Sequence, residues 1–355
     1  MAPNVVKARS VVLLTRPVGM ASPVLGENIG VKEVDVAVEA PPNGVFVQIK
    51  FMSVDPYLRN RIARDSPLNA PIMGHVAGKV LKSNACGWKE GDIFGAHLPF
   101  VSYQAVSESD LKDFRNLTSL IDESDLSVAI GILGMPGSTA YAGLDLMGVS
   151  ANDRVWISAA TGAVGSIAGQ LAKNVRKCKL VIGSAGSDEK CHVAKAEFGY
   201  DACVNYKHAT KEKDLTSLIK EAAPEGIDFY FENVGGDHFA AGMTNLRIKG
   251  RVAVCGAISR YNEAGGLFQS ESQSESIHLG KLIYMQQRVE GFFFTDWLSG
   301  ARGNFLKDMS SWYKAGLVKK KETVFHGIEK WPEAFHALFT QGGDNLGKIV
   351  VKIDE

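Results

Sequence analysis

One stretch of the sequence decides the fold: Val155-Trp156-Ile157-Ser158-Ala159-Ala160-Thr161-Gly162-Ala163-Val164-Gly165. An apolar run stops at a turn of small residues, and apolar residues at helical spacing follow, among them Ile167 and Leu171. A strand, a glycine turn and a helix form the first half of a dinucleotide-binding unit. The glycines let the backbone approach a pyrophosphate, and the N-terminus of the helix offers unpaired N–H groups to the anion.

The glycine motif is imperfect, and a simple tight turn would use similar residues. Ala160 stands where the first glycine of the G-x-G-x-x-G pattern is expected. The residues that follow favour the binding unit, because strands alternate with helical spacers. Such an alternation indicates a doubly wound parallel sheet. The predicted strands are residues 154–160, 179–183, 202–205, 227–232, 251–255 and 288–294.

The sequence divides into two domains of different character. Residues 1–128 contain short β-like runs broken by Gly, Pro and Asn, a pattern typical of a barrel-like β domain. Residues 312–355 return to that style, with a helix predicted around Trp331 and a final strand around Val350. We therefore predict an α/β protein in which residues 1–128 and 312–355 form one domain and residues 129–311 form the doubly wound domain.

Composition and charge argue against several classes of partner. The 355 residues carry a net charge of zero, so neither nucleic acid nor an anionic membrane surface is expected as a partner. No run approaches the ~18 apolar residues of a membrane helix, and the short apolar run after Arg9 predicts a strand rather than a signal peptide. The five cysteines are scattered and form no C-x-x-C pair, which fits a reducing, cytoplasmic location. A glycine pair followed by a run rich in Ser, Gln and Glu predicts a mobile surface loop over residues 262–273.

Several phrases occur in an order that resembles one family. They are Ser53-Val54-Asp55-Pro56-Tyr57-Leu58-Arg59, Leu133-Gly134-Met135-Pro136-Gly137, the glycine turn, Gly186-Ser187-Asp188-Glu189-Lys190, Asn205-Tyr206-Lys207, Phe231-Glu232-Asn233-Val234-Gly235-Gly236, Val254-Cys255-Gly256-Ala257-Ile258-Ser259-Arg260-Tyr261-Asn262 and Gly343-Asp344-Asn345-Leu346-Gly347-Lys348. From its first strand to its last, the chain resembles the zinc-independent medium-chain dehydrogenases/reductases. Within them it is most similar to the group of prostaglandin reductases, leukotriene B4 12-hydroxydehydrogenases and plant alkenal double-bond reductases.

This resemblance implies a fold, an activity and an assembly. The fold would be a GroES-like catalytic domain of β-barrel type beside a Rossmann domain that binds NADPH. The activity would be NADPH-dependent reduction of the carbon–carbon double bond of α,β-unsaturated aldehydes and ketones. The family pattern also implies a homodimer, and the apolar end of the strand predicted at residues 288–294 supports it, because an exposed edge strand invites pairing with a second copy.

Cofactor choice depends on the end of the second strand of the nucleotide sheet. An NAD site places Asp or Glu there to bind the ribose 2′-OH, whereas this chain has no acid before Asp188 and carries Lys190 just beyond it. A neutral strand end with a nearby cation favours NADPH, although an ordinary solvated lysine has the same appearance. The resemblance makes Lys190 and Tyr206 ligands of the 2′-phosphate. It implies further cofactor contacts at Met135, Thr139, Gly162, Ala163, Val164, Gly165, Ser187, Asn233, Cys255, Ile258, Ser259, Tyr261, Phe292, Phe293, Phe294, Asn345 and Gly347.

Most of these residues also have a simpler interpretation. Asn233 suits a turn, Tyr206 suits packing at a strand end, and the three phenylalanines suit a buried strand. Cys255 fits a packed thiol better than a nucleophile, because no His lies near it in sequence.

Tyr261 is the first candidate for chemistry. Hydride addition to the β-carbon of an enone develops negative charge on the carbonyl oxygen, and a positioned phenol would stabilise that charge or relay a proton. A tyrosine on a surface loop is the alternative interpretation. The resemblance places a second tyrosine, Tyr57, in the substrate pocket.

No metal is expected. Gly74-His75-Val76 resembles the Gly-His-Glu of zinc alcohol dehydrogenases, but Val76 replaces the acid and Ser53 stands where a thiolate ligand is expected. A catalytic zinc needs about three protein ligands, which the sequence does not offer. Two other functions stay open beside enone reduction. One is an NADPH-binding protein with little turnover, and the other is an NADP-dependent 12-hydroxy-eicosanoid dehydrogenase.

Overall fold

The computed structural model describes residues 4–17, 26–262, 279–299, 304–340 and 345–354. The strands in this part of the chain are β1 (Val5–Leu13), β2 (Ile29–Ala37), β3 (Val45–Ser53), β4 (Met73–Ser83), β5 (Ile93–Pro99), β6 (Tyr103–Val106), β7 (Arg115–Asn116), β8 (Arg154–Ile157), β9 (Leu180–Ala185), β10 (Ala202–Asn205), β11 (Ile227–Glu232), β12 (Leu246–Val254), β13 (Arg288–Gly291), β14 (Glu322–His326) and β15 (Lys348–Lys352). The α-helices are α1 (Leu58–Arg64), α2 (Met135–Leu146), α3 (Ala163–Gln170), α4 (Asp188–Phe198), α5 (Leu215–Ala222), α6 (Asp237–Asn245), α7 (Leu279–Tyr284), α8 (Phe294–Ser299), α9 (Phe305–Lys314) and α10 (Trp331–Ala337).

The chain forms two compact units, of which the first comprises Met1–Gly134, Glu322–Thr340 and Ile349–Glu355. Its larger sheet has the strand order β14-β15-β3-β4-β5-β7, with β6 paired to β3, and β1 pairs separately with β2. Alternate apolar side chains of these strands face one core, in which the ring of Trp331 stacks on Phe335. This is the barrel-like β domain that the sequence predicts.

The second unit comprises Met135–Lys321 and Gln341–Lys348. Its sheet has the strand order β10-β9-β8-β11-β12-β13, and each neighbouring pair is parallel. In order of appearance this is 3-2-1-4-5-6, the order of the Rossmann fold, so the predicted doubly wound sheet is confirmed. The strand order reverses between β8 and β11. Ligands of such sheets bind outside the carboxyl ends of the strands at this reversal.

Two strand predictions are too long. The strand predicted over residues 154–160 ends at Ile157, because Ala159 adopts a φ of 50°, which no strand accommodates. The strand predicted over residues 288–294 ends at Gly291, and α8 begins at Phe294. Packing explains this second change, since Trp297 of α8 is buried with its ring edge-on to Tyr141.

The compact units divide at other residues than the predicted domains. The divisions fall after Gly134 and Lys321, rather than at 128/129 and 311/312. Helix α9 runs across the second predicted boundary and packs within the second unit. There the hydroxyl of Tyr141 donates to Asp308 at 2.7 Å, and its ring stacks on Trp312.

Two further expectations concern loops and membranes. The loop predicted over residues 262–273 lies outside the described residues, apart from Asn262. Among the helices that the structure describes, none has the length and apolar content needed to cross a membrane.

Candidate active site

The glycine turn joins β8 to α3 at the strand reversal of the sheet. Gly162 precedes the helix in an extended conformation and gives it no side-chain cap. The N–H groups in the first turn of a helix lack a partner one turn earlier. Those of Ala163, Val164 and Gly165 therefore offer donors, and the positive end of the helix dipole, to a phosphate.

Gly165 allows α3 to approach the sheet closely. A β-carbon at this position would overlap the carbonyl oxygen of Ala159, so the turn requires glycine. The hydroxyl of Tyr200 donates to the carbonyl oxygen of Gly165 at 2.8 Å, and the Tyr200 ring lies against Gly169. Gly165 thus has the packing role that the third glycine of the motif plays in dinucleotide-binding units.

Gly347 lies against the same turn. Its N–H group donates to the carbonyl oxygen of Thr161 at 2.8 Å, and it forms a parallel bridge with Gly162. Its φ is 71°, and a β-carbon there would overlap the carbonyl oxygen of Lys321. The structure therefore brings together two predicted cofactor segments that are far apart in sequence, with Asn345 two residues before the contact.

A second group of predicted residues gathers where β9 and β10 end. Ser187 caps α4, since its hydroxyl accepts the backbone N–H of Lys190 at 3.1 Å. Tyr206 follows β10 directly, and its hydroxyl lies 2.9 Å from the point that a β-carbon on Gly186 would occupy. Burial raises the pKa of Tyr206 above its ordinary value, so the phenol is a hydrogen-bond donor at neutral pH. Ser187, Lys190 and Tyr206 therefore share one edge of the sheet.

Asp188, the first acidic residue after β9, already has polar partners. Asp188 accepts a hydrogen bond from the side-chain amide of Asn205 at 3.0 Å and lies 3.4 Å from Nε2 of His208. Strand β9 itself ends in Ala185 and carries no carboxylate. The edge therefore lacks the strand-end acid that typically binds the ribose 2′-OH of NAD.

Glu232 is a residue that the sequence analysis missed. It ends β11 with 1% exposure, and its carboxylate accepts the N–H groups of Val234 at 2.6 Å and Gly235 at 3.1 Å. Burial raises the pKa of Glu232, while these hydrogen bonds oppose the shift. The hydroxyl of Ser158 donates to the same carboxylate oxygen at 3.1 Å. The signal was an acid at the end of a buried strand, directly before a turn with two glycines.

Glu232 and Ser158 together fix Asn233. The backbone N–H of Asn233 donates to the hydroxyl of Ser158 at 2.9 Å, and its side-chain amide donates to the Ser158 carbonyl at 2.8 Å. Asn233 therefore ties the end of β11 to the end of β8. Asn233 therefore both forms a turn and links two neighbouring strand ends, and it lies beside the glycine turn.

The segment after β12 is bonded to the same turn. The N–H of Cys255 donates to the carbonyl of Glu232 at 2.9 Å, and the N–H of Ile258 donates to that of Asn233 at 3.1 Å. The hydroxyl of Ser259 donates to the carbonyl of Val234 at 2.6 Å. Burial, with the charge of Glu232, raises the pKa of Cys255 to about 12. Cys255 is therefore a protonated thiol at neutral pH and not an activated nucleophile.

Tyr261 closes this segment. It follows the short 3-10 helix Ile258–Arg260, and its hydroxyl lies 3.0 Å from the point that a β-carbon on Gly256 would occupy. The phenol therefore folds back over the strand end instead of extending into solvent. Burial raises its pKa, so the hydroxyl keeps its proton and is a donor at neutral pH.

The three phenylalanines are separated by the structure. Phe292 points toward the sheet with its ring edge-on to Phe231, and a β-carbon on Gly143 would overlap both rings. Phe293 points outward and is 76% exposed. Phe294 begins α8, so the prediction of one buried strand through all three is wrong, because the chain turns after Gly291.

Two predicted residues at the start of α2 show different surroundings. Met135 opens the helix and is half-buried. The hydroxyl of Thr139 donates to the carbonyl of Met135 at 2.8 Å, and the residue is 8% exposed. The hydroxyl of Thr139 is therefore used in a hydrogen bond within α2, whereas the side chain of Met135 is partly exposed.

Tyr57 belongs to the first unit. It precedes α1, and its ring lies edge-on to His75 with 6.3 Å between ring centroids. Burial, and then the charge of Asp55, raise the pKa of Tyr57, so this phenol also stays protonated.

The chain is similar to known proteins along most of its length. Residues 9–114 match a family described as the N-terminal domain of oxidoreductase, and residues 163–311 match one described as zinc-binding dehydrogenase. Prostaglandin reductase 1 of Mus musculus is 39% identical over 322 residues, which cover 88% of this chain and 92% of that protein. The NADP(+)-dependent 2-alkenal reductase of Nicotiana tabacum is 37% identical over 335 residues, covering 91% and 92%. The crystal structure of CurA from Vibrio vulnificus in complex with NADPH has a TM-score of 0.84 at 32% identity, covering 98% of this chain and 99% of that one.

One of these family descriptions names zinc, and the residues present do not fit a zinc centre. Ser53 is fully buried and donates its hydroxyl to Asp55, while Val76 offers no donor atom beside His75. In the part of the chain that the structure describes, no three His, Cys, Asp or Glu side chains are grouped to hold a metal ion. With two matching domain families and relatives above 30% identity along most of its length, the chain belongs to the zinc-independent medium-chain dehydrogenases/reductases, in the group that contains the prostaglandin reductases and the 2-alkenal reductases.

Proposed function

We propose that the chain catalyses the NADPH-dependent reduction of the carbon–carbon double bond of α,β-unsaturated aldehydes and ketones. The observation that carries this proposal is the protonated phenol of Tyr261, folded over Gly256 at the sheet edge that also holds the glycine turn. The names of the relatives, prostaglandin reductase and 2-alkenal reductase, support the substrate class.

The residues at this edge fit NADPH. The N-terminus of α3 suits the pyrophosphate, because its N–H groups and the backbone of the glycine turn are accessible to an anion. Lys190 and the phenol of Tyr206 suit the 2′-phosphate, since a cation and a hydroxyl donor lie at a strand end without an acid. We place the nicotinamide side near Asn233, Cys255 and Ile258. The proposed set is completed by Met135, Thr139, Ser187, Ser259, Phe292, Phe294, Asn345 and Gly347.

Bound NADPH supplies a hydride for the β-carbon of the substrate. As that bond forms, negative charge develops on the carbonyl oxygen of the substrate. The hydroxyl of Tyr261 donates a hydrogen bond to this oxygen and stabilises the enolate. Because burial keeps the phenol protonated, the donor is present before the charge develops. The α-carbon is then protonated, either from the Tyr261 hydroxyl or from solvent.

Tyr57 is the second phenol that we assign to the substrate. Its position before α1 and its half-buried, protonated side chain support a role as a hydrogen-bond donor or as an apolar pocket wall. We rank it below Tyr261, because Tyr261 lies at the sheet edge that also holds the glycine turn.

We further propose that the protein is a homodimer and resides in the cytoplasm. Strand β13 is at the edge of the nucleotide sheet, and the neighbouring helix α7 exposes Leu279, Ile283 and Tyr284 at 71%, 64% and 82%. An edge strand beside exposed apolar side chains suits pairing with a second copy. Five free cysteines support a reducing compartment.

A turnover assay tests the proposed activity. Purified protein is mixed with NADPH and a panel of enals and enones, and the loss of reduced nicotinamide is followed. Product analysis with NADPH deuterated at the transferred position should place deuterium on the β-carbon of a saturated carbonyl product. Saturated aldehydes of matched length are the control and should not react.

Other outcomes separate the alternative functions. An allylic alcohol product would contradict double-bond reduction. Tight NADPH binding without turnover would indicate a binding protein. Reduction of NADP⁺ by a 12-hydroxy-eicosanoid, without any reaction of enals, would indicate the dehydrogenase.

A further inference from the structure

Two cysteines lie in direct contact beneath the region assigned to the 2′-phosphate. Cys191 belongs to α4 and Cys203 to β10, and the S–H of Cys203 donates to the sulfur of Cys191 with 2.9 Å between the Sγ atoms. A disulfide has an S–S distance of about 2.05 Å, so the two sulfurs need to approach by only about 0.9 Å. Their twelve-residue separation gives no C-x-x-C signature, and the packing of α4 against β10 brings them together.

The two thiols are chemically unequal. The hydrogen bond from Cys203 lowers the pKa of Cys191, whereas the same hydrogen bond and burial raise the pKa of Cys203. Cys191 is therefore the thiolate-forming partner, and Cys203 keeps its proton until it is needed. Burial raises the pKa of Cys178 to about 12, as it does for Cys255, so these thiols are poor nucleophiles.

The cysteine pair is partly buried. Cys191 is 6% exposed, and Cys203 is partly exposed. This exposure favours a small oxidant over a disulfide of another folded protein, which is too large to contact the sulfur of Cys191.

The pair is built into the elements that carry the proposed phosphate ligands. Cys191 directly follows Lys190, and its N–H donates to the carbonyl of Ser187 at 3.0 Å. Cys203 lies three residues before Tyr206 and pairs with Gly183 of β9. A bond between the sulfurs would thus join the first turn of α4 to β10. Lys190 lies in that turn of α4, and Tyr206 directly follows β10.

We propose that Cys191 and Cys203 are an oxidative modification site, at which a small hydroperoxide converts the two thiols into a reversible disulfide. The Cys191 thiolate attacks the terminal oxygen of the hydroperoxide, the O–O bond breaks, and the departing alkoxide or hydroxide takes a proton. Cys203 then attacks the sulfur of the Cys191 sulfenic acid and expels hydroxide, which takes the Cys203 proton to form water. Two thiols and one hydroperoxide give one disulfide, one alcohol or water, and one water.

A consequence for the cofactor rests on the proposed function. Drawing α4 toward β10 shifts the turn that carries Ser187 and Lys190. Oxidation should therefore raise KM for NADPH by about tenfold, the size of a weakened charge-assisted hydrogen bond. The kcat at saturating NADPH should stay nearly unchanged, because Tyr261 belongs to another segment of the sheet edge.

The test uses the full-length protein and hydrogen peroxide. After digestion under acidic, alkylating conditions, mass spectrometry should find the Cys191 peptide joined to the Cys203 peptide, and dithiothreitol should separate them. In Cys203→Ser the reaction should stop at a sulfenic acid on Cys191, which dimedone traps. In Cys86→Ser, which removes an exposed cysteine, the disulfide should form as in the unmodified protein. Oxidation of Cys86 alone, or a Cys191 sulfenic acid that persists in the unmodified protein, would overturn the proposal.

A second probe needs no substitution. Phenylarsine oxide bridges two neighbouring thiols, so the reduced protein should bind one arsenic per chain and become resistant to peroxide at Cys191 and Cys203. Failure to bind would overturn the proposal, and an unchanged KM for NADPH in fully oxidised protein would overturn its consequence for the cofactor.

Mass spectrometry detects the disulfide independently of enzymatic turnover. A protein that forms it but reduces no enal would therefore contradict the proposed function alone.

Discussion

The β-carbon of Ala160 lies 2.6 Å from the point that a β-carbon on Gly183 would occupy. Ala160 stands at the position of the first motif glycine, is fully buried, and donates its N–H to the carbonyl of Ser184 at 2.9 Å. The extra carbon at the turn is therefore accommodated because the neighbouring strand β9 carries glycine. The departure of the motif from G-x-G-x-x-G at Ala160 is therefore accommodated by a glycine outside the motif, Gly183.

This relationship predicts a coupled effect on stability. Gly183→Ala should lower the free energy of unfolding by about 1–3 kcal/mol, the usual cost of overpacking a core. The double variant Ala160→Gly/Gly183→Ala should recover part of that loss, since one of the two clashing carbons is removed. Recovery stays partial because the Tyr200 ring lies 3.0 Å from the same point. Denaturant unfolding of the two single variants and the double variant measures the coupling, and purely additive losses would contradict it.

Lys190 should set the choice between the two nicotinamide cofactors. Lys190→Ala is expected to raise KM for NADPH by about 10–100-fold, the cost of a lost charge-assisted hydrogen bond, with little change for NADH. Lys195→Ala, in the last turn of the same helix, is the matched control. Steady-state kinetics with both cofactors checks the prediction, and an equal loss for NADPH and NADH would remove Lys190 from the phosphate site.

The hydroxyl of Tyr261 should act in the chemical step. Tyr261→Phe is expected to lower kcat for a reactive enal by about 100-fold, as for the loss of one oxyanion donor, with NADPH affinity nearly unchanged. A ribose hydroxyl that donates to the same oxygen would reduce the loss. Single-turnover rates and NADPH titration are measured separately. A variant with unchanged kcat, while chemistry is rate-limiting, would leave Tyr261 as pocket wall.

The pH dependence of kcat should report the same phenol. An ordinary tyrosine has a pKa of about 10, and burial raises that of Tyr261, so its proton is lost only at higher pH. We expect kcat to hold through neutral and mildly alkaline pH and to fall only above about pH 10, as the donor is deprotonated. Circular dichroism at each pH controls for unfolding. If Tyr261→Phe shows the same alkaline fall, another group is responsible.

Helix α7 should lie in a dimer interface. Light scattering at micromolar concentration should give twice the chain mass of 38.3 kDa. Ile283→Asp should shift the protein toward the monomer, because it places a charge on an exposed apolar face. Val324→Asp, an exposed apolar position in the first unit, should leave the mass unchanged. A monomeric unmodified protein would refute the proposal.

Local patterns in the sequence were enough to predict the nucleotide unit. The strand, turn and helix around Gly162 follow from residues within one short stretch, because the period of apolar residues and the small residues of the turn act locally. Helix α5 shows the same local pattern, since its apolar residues Leu215 and Ile219 recur at helical spacing and are buried. The alternation of strands and helices also predicts the doubly wound parallel sheet, whereas the order of its strands is seen only in the structure.

The sequence analysis failed where long-range packing decides. The run Gly291-Phe292-Phe293-Phe294 favours a strand by composition, but the burial of Trp297 against Tyr141 turns the chain into α8. Local preference is weak, and tertiary contacts override it.

Three relationships came only from the tertiary structure. They are the carboxylate of Glu232 beneath the Asn233 turn, the compensation of Ala160 by Gly183, and the contact of Cys191 with Cys203. Each joins residues through hydrogen bonds or close contacts made when strands and turns come together. The sequence by itself therefore determined the kind of unit and predicted the sheet edge proposed for the ligand, through local periodicity. Only the fold decided which side chains meet at that edge, because such contacts depend on strand order and on the packing of helices over the sheet.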